Sequence, residues 1–210
     1  MITLYDYELS GNCYKLRLLL HWLGLVYTRI PINFHPGREH KSRHFIDTIN
    51  PLGQLPVLVD ADFRLRDAQA ILVYLASRYD PQGRWYPDDP KTRARITLWL
   101  GQADDITRTV SAARLHLGFG YETDLPHCQA AGRAVLRNLD DQLAENQFAQ
   151  QEWLAAAHPT IADIACFPYA ALAFEAGIDL IEFPALRRWI WQLRHVPGFI
   201  AMPGILQPVL

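Results

Sequence analysis

Ser10 and Cys13 stand where a short strand-like segment gives way to a helical pattern, which puts a hydroxyl and a thiol at the start of a helix. The positive end of a helix dipole favours negative charge there, and a first-turn cysteine can have a depressed pKa and form mixed disulfides. Ser10 or Asn12 can equally serve as a plain helix cap. A second cluster is Asn50-Pro51-Leu52-Gly53-Gln54-Leu55-Pro56-Val57-Leu58-Val59-Asp60. Pro56 abuts an apolar β-run and cannot donate a ladder hydrogen bond, which suits a strand start. The Leu55-Pro56 bond is a candidate cis peptide. Asp67 then opens a helix on the far side of a hairpin. A kinked loop with an exposed backbone edge, next to a helix N-terminus, can grip both parts of a small peptide. His40 and His44 share the i, i+4 spacing of metal ligands, with His35 nearby. No cysteine or carboxylate completes that set, so a solvated loop is the simpler reading and no metal is expected.

The elements that must position these residues follow from periodicity. Residues 2–7 form a strand, and Leu16, Leu19, Leu20 and Leu23 recur at helical spacing with Gly24 placed to end the helix. Val26, Thr28, Ile30 and Ile32 alternate as a second strand, and a weak helix is expected around Phe45. Pro56–Val59 and Phe63–Leu65 flank an Asp60-Ala61-Asp62 turn. Ala68, Ile71, Leu72, Leu75 and Tyr79 then make one apolar helical face. The order β-α-β-(α)-β-β-α predicts an α/β domain over residues 1–79. Pro81, Gly83, Pro87 and Pro90 punctuate a linker over 80–90, and residues 91–210 read as an all-α domain. One long helix is expected from about Lys91 to Leu117 and another from about Pro126 to Asn146. Thr160-Ile161-Ala162-Asp163 reads as a capping box with Asp where Glu is usual, and Pro159 and Ile164 stand where a hydrophobic staple would be. A final helix spans roughly Pro184 to His195.

Composition bounds the class. The chain has 210 residues, half of them apolar and a fifth charged, with a net charge of −2. That is the balance of a globular protein and offers no electrostatic reason to expect nucleic acid or an anionic membrane. No apolar run approaches the roughly 20 residues of a membrane helix. Cys13, Cys128 and Cys166 lie far apart without a C-x-x-C pair, which fits a reducing, cytoplasmic setting.

Taken together, Ser10-Gly11-Asn12-Cys13, Gln54-Leu55-Pro56, Asp67-Ala68-Gln69-Ala70-Ile71-Leu72 and Thr160-Ile161-Ala162-Asp163 resemble the cytosolic glutathione S-transferase family over essentially the whole chain. The Ser10 neighbourhood is most similar to serine-type classes such as theta and zeta. The resemblance implies a thioredoxin-like α/β domain followed by a helical domain, glutathione as co-substrate, a homodimer, and no metal. It implies that Ser10 holds the glutathione thiolate, with Tyr7 on the first strand as the residue type used by tyrosine-type classes. Leu55, before Pro56, would meet the cysteinyl part of glutathione, while Gln54 and Asp67 would hold its γ-glutamyl end. His40 and Lys41 resemble a glycine-carboxylate contact region, and Asn12 of the Ser10 motif is a further glutathione-binding candidate. Ala68 departs from the family pattern, which usually has serine there. Alanine keeps the backbone N–H but loses a hydroxyl, about 1.5–3 kcal/mol if that bond is charge-assisted.

For the second substrate, Tyr7, Trp99, Leu115, Phe119 and Tyr121 are candidate pocket residues, against the reading that aromatics at helical spacing are core. The expected reaction is conjugation of the glutathione thiolate to electrophilic, apolar substrates. Two alternatives stand beside it. One is a catalytically weak binding or interaction protein of the same fold, favoured by Ala68. The other is a glutathione peroxidase or thiol transferase working through Cys13.

Overall fold

The computed structural model of the chain describes residues 1–208. They divide into two compact units, Met1–Pro81 and Gln82–Leu210. The last two residues of the expected helical domain lie outside the described ones. The Pro-rich stretch 80–90 straddles the division rather than lying outside both units. Trp85 is buried within the second unit, and its carbonyl accepts from the Ile161 N–H at 2.9 Å.

The first unit is a thioredoxin-like α/β arrangement. Four strands, β1 (Ile2–Asp6), β2 (Tyr27–Pro31), β3 (Val57–Asp60) and β4 (Phe63–Arg66), form one sheet in the order β2-β1-β3-β4. β2 runs parallel to β1, reached through helix α1 (Gly11–Trp22), and β3 and β4 are antiparallel. Helix α2 (Arg43–Thr48) follows β2, and α3 (Ala68–Tyr79) closes the unit by packing on α1. Gly24 has φ +65, the left-handed conformation that ends α1 after its cap at Leu23. The expected weak helix near Phe45 is real, because Phe45 fills a small core with Ile32 and Val57.

The register decides the function of this sheet. Tyr5 pairs with Val57, and Val57 with Arg66. The end of β1, the start of β3 and the end of β4 therefore meet at one end of the sheet. The segments beyond them, carrying Ser10, Leu55-Pro56 and Asp67-Ala68, emerge side by side. Pro31 at the end of β2 pairs with Asp6, so the loop bearing His40 and Lys41 leaves from the same end.

The second unit is helical: α4 (Pro90–Ile106), α5 (Ala112–Phe119), α6 (Leu125–Phe148), α7 (Ile161–Ala171) and α8 (Pro184–Arg194). The single long helix expected to Leu117 is interrupted by a π-helical turn, Thr107–Ser111. Its cause is local. The Thr107 and Thr109 hydroxyls donate back to the carbonyls of Ala103 at 2.8 Å and Asp105 at 2.6 Å, and such back-bonding loosens the regular ladder.

The capping box forms as the sequence predicts. Asp163 accepts from the Thr160 N–H at 2.8 Å, and the Thr160 hydroxyl accepts from the Ala162 N–H at 3.2 Å. The fully buried Asp163 carboxylate also takes the Leu154 N–H at 3.1 Å and the Trp189 indole N–H at 3.0 Å, tying α7 to α8. Around it α4 packs on α7, and α6 on α8. No helix among the described residues is long and apolar enough to cross a membrane.

Candidate active site

Ser10 is the N-cap of α1. Its extended backbone (φ −80, ψ 118) lets its oxygen accept the Cys13 N–H at 3.2 Å. A hydroxyl that accepts with its lone pair keeps its own proton to donate, so capping and thiolate binding are compatible roles for one side chain. The half-buried Ser10 keeps a solvent-accessible face.

Cys13, one turn further on, has no exposure. Burial pushes its thiol up to about 12, the Asp6 carboxylate adds to this, and the Ser10 hydrogen bond and Arg17 only partly oppose it. A thiol in that state is a core side chain and supplies no thiolate near neutrality. The reading of Cys13 as an alternative nucleophile therefore loses its chemical basis.

The turn that carries Ser10 is held from below by residues for which the sequence offered no signal. Asp6 is fully buried at the end of β1. Arg17 of α1 bonds it at 2.5 Å, and Arg29 of β2 pairs with its other oxygen. The Arg17 guanidinium also donates to the carbonyls of Tyr7 at 3.3 Å and Glu8 at 2.9 Å, while the Ser10 N–H donates to the same Tyr7 carbonyl at 3.0 Å. The partners are 11 and 23 residues apart in sequence, so only the assembled sheet brings them together.

Just before β3, Leu55-Pro56 is a cis peptide, as anticipated, and His35-Pro36 is a second that the sequence did not announce. Leu55 turns its side chain into the Ile32–Phe45–Val57 cluster. The loop before it is templated by the buried Asn50, whose amide donates to the Gln54 carbonyl at 2.9 Å and accepts the Leu52 N–H at 3.1 Å. Gly53 is obligatory: its φ is +57, and a Cβ there would stand 2.7 Å from the His40 carbonyl. That close approach joins the two loops. Lys41 spans the same gap, its ammonium donating to the Leu52 carbonyl at 3.3 Å.

His40 is buried and stacked on Phe34, with ring centroids 4.0 Å apart, and Phe34 in turn stacks on Tyr7 at 5.2 Å. Burial, then the charges of Lys41 and Arg38, hold His40 down to about 4. It is therefore neutral at physiological pH, and only Lys41 of this pair brings a positive charge. The Tyr7 ring is engaged in that stack.

Asp67 caps α3, accepting the Ala70 N–H at 2.8 Å, from a backbone with φ +81. That φ is uncommon for any residue but glycine. The exposed carboxylate and the first N–H groups of α3 thus share one terminus, with Ala68 buried as the first helical residue.

In the helical unit Trp99 is 6 % exposed, and its carbonyl receives the Cys166 thiol at 3.4 Å. It is a core residue of that unit rather than the wall of an open pocket, because α4 turns it onto α7. Leu115, Phe119 and Tyr121 are half-buried at the end of α5. Among the described residues no three His, Cys, Asp or Glu side chains converge as metal ligands.

One end of the four-stranded thioredoxin-like sheet thus carries a capping serine, a cis-proline just before β3 and an acidic helix start, and a helical unit follows in the chain. Residues 4–83 match the family model described as glutathione S-transferase, N-terminal domain, and residues 108–190 the corresponding C-terminal domain. The chain belongs to the glutathione S-transferase family. It is 32% identical over 206 residues to glutathione S-transferase GstB of Escherichia coli K12, covering 94% of this chain and 95% of that protein. A glutathione S-transferase structure from Pseudomonas fluorescens superimposes with a TM-score of 0.84 at 27% identity, covering 96% and 98% of the two chains. Ure2p in complex with glutathione superimposes with a TM-score of 0.83 at 25% identity, over 94% of this chain and 95% of that one.

Proposed function

We propose that the protein is a glutathione transferase whose Ser10 hydroxyl donates a hydrogen bond to the glutathione thiolate. Leu55 and Pro56 meet the cysteinyl backbone, and Gln54, Asp67 and the N-terminus of α3 receive the γ-glutamyl end. Lys41 faces the glycine carboxylate beside a neutral His40, and Asn12 of the Ser10 turn is a further glutathione contact. The observation that carries this reading is the half-buried Ser10 cap at the sheet end shared with Leu55-Pro56 and Asp67. A free thiol near pKa 8.5 must fall by about two units to be thiolate at neutral pH, about 2.7 kcal/mol. One hydrogen bond to a charged group supplies roughly 1.5–3 kcal/mol and the dipole about 0.3–1. The thiolate then attacks an electrophilic carbon, the carbon–sulfur bond forms as the leaving group departs, and the thiol proton has already gone to water.

Leu115 and Phe119 of α5 are the apolar candidates in the helical unit for contact with a second substrate. A homodimer and a cytoplasmic setting complete the proposal, the latter supported by three buried cysteines that form no disulfide. Ala68 favours a second reading, a weakly catalytic binding protein of the same fold.

Calorimetric titration of reduced glutathione, with conjugation of a generic aryl halide measured in parallel, tests both. Binding together with conjugation supports the transferase, and binding without it supports the second reading. Undetectable binding at millimolar glutathione removes both.

A further inference from the structure

We propose that Arg17 is a positioning residue for the Ser10 hydroxyl, acting through the backbone of the turn that carries it. The inference rests on the transferase reading. Arg17 is 8 % exposed, and its guanidinium is shared between three acceptors: the Asp6 carboxylate at 2.5 Å, the Tyr7 carbonyl at 3.3 Å and the Glu8 carbonyl at 2.9 Å. Tyr7 and Glu8 lie immediately before Ser10, and the Tyr7 carbonyl also accepts the Ser10 N–H at 3.0 Å. Asp6 fixes the guanidinium, the guanidinium fixes two consecutive peptide planes, and those planes fix the residue that presents the hydroxyl.

A planar fork is needed for this. A lysine ammonium at the same place keeps the charge but cannot hold a carboxylate and two successive carbonyls in one plane. Arg29 supplies an internal comparison. It pairs with the same Asp6 carboxylate, its side chain is 40% exposed, and among the described residues its hydrogen bond goes to Asp6 and to neither carbonyl of the turn. Loss of Arg29 alters the charge around Asp6 and leaves the turn clamp in place. The Arg17 guanidinium also lies 5.8 Å from the centroid of the Tyr14 ring, which backs it from α1.

The experiment reads the pKa of enzyme-bound glutathione from thiolate absorbance in the ultraviolet, with S-methylglutathione as a thiol-free probe of binding. Arg17→Lys is expected to raise the bound-thiol midpoint by about one pH unit and to lower conjugation below that midpoint about tenfold. Its Kd for S-methylglutathione should stay within about twofold of wild type, a difference within the error of additive effects. Arg29→Gln should move neither quantity.

In a Ser10→Ala background, Arg17→Lys should shift the thiol midpoint no further, because the clamp has no hydroxyl left to aim. If Arg17→Lys does not fold, the double variant Asp6→Asn with Arg17→Gln, which removes the clamp and its anchor without changing the net charge, should give a shift of the same sign. An unchanged thiol midpoint in both variants, or equal shifts with and without Ser10, overturns the proposal. Wild type that binds S-methylglutathione but never ionises bound glutathione refutes the transferase reading itself, and wild type that binds neither probe removes the site.

Discussion

Replacing Ser10 separates its capping role from its proposed role at the thiolate, because different substitutions spare different ones. The Ser10 oxygen accepts the Cys13 N–H, and Cys13 has no exposure, so no solvent can take over that bond when the cap is removed. Ser10→Ala should therefore cost near the upper part of the range for N-caps, about 1–2 kcal/mol. For a chain of this size that lowers the melting temperature by about 2–8 °C. The lost thiolate hydrogen bond is worth about 1.5–3 kcal/mol, which raises the pKa of bound glutathione by about one to two units. Ser10→Asp behaves differently. Aspartate caps as well as serine, so stability should stay close to wild type. Its carboxylate donates no proton and repels a thiolate, so the bound-thiol pKa should rise at least as far as in Ser10→Ala.

Thermal melting and ultraviolet titration of bound glutathione, run on both variants, separate the two effects. The reasoning is refuted if Ser10→Ala loses stability while its bound-thiol pKa stays at the wild-type value, since Ser10 is then only a cap. It is refuted equally if Ser10→Asp ionises glutathione as wild type does.

Three further outcomes follow from the same structure. Ala68→Ser restores a hydroxyl at the first residue of α3, and calorimetry should find glutathione bound about tenfold or more tighter; no tightening shows that the γ-glutamyl carboxylate does not reach this terminus. His40 is held neutral down to about 4 by burial. As pH falls from about 6.5 toward 4 the unfolded chain takes up a proton that the folded chain refuses, so stability declines in that window and is unaffected above it, by about 1–2 kcal/mol after allowance for nearby water. Urea midpoints at pH 7 and 4.5 should show a smaller difference in His40→Gln than in wild type. Asp163→Ala strands the N–H groups of Thr160, Leu154 and Trp189 in the core. At roughly 1–3 kcal/mol for each orphaned donor, it should cost about 4 kcal/mol or more in denaturant unfolding.

What the sequence reveals here is what depends on neighbours along the chain. Pro56 before a β-run, Gly24 after a leucine-rich helix and the Thr160–Asp163 box are local, and the structure realises each of them. The register that gathers Ser10, Leu55 and Asp67 is also legible in part, since the β-β-α order allows few arrangements. The Asp6–Arg17–Arg29 network is not legible, because an aspartate on a strand and an arginine in a helix look solvated until the sheet buries them. Asn50 lies inside the quoted motif, yet its two loop bonds need the folded turn to exist. The π-turn at Thr107–Ser111 is missed for a related reason. Apolar periodicity marks which residues face inward but carries no record of threonine hydroxyls competing for the ladder.

The choice between hydroxyl and thiol shows how strongly three residues of helix can matter. Ser10 and Cys13 share one turn and one hydrogen bond, yet the cap keeps a solvent-accessible face while Cys13 is sealed in the core, its thiol pushed up by burial first and by the Asp6 charge second. Burial, with the Asp6 charge behind it, disfavours the Cys13 thiolate near neutral pH. In the proposed mechanism the hydroxyl needs no ionisation to act, since the charge it would stabilise is carried by the substrate's own sulfur. Cys13→Ala should therefore retain conjugation within about twofold, while losing about 1 kcal/mol or somewhat more of stability to the small void. Alkylating reagents should modify Cys13 in the native protein only as fast as the protein opens. Conjugation lost in Cys13→Ala and kept in Ser10→Ala would move the chemistry to the cysteine, and would require an opening of α1 that exposes its thiol and removes the Asp6 charge from its side.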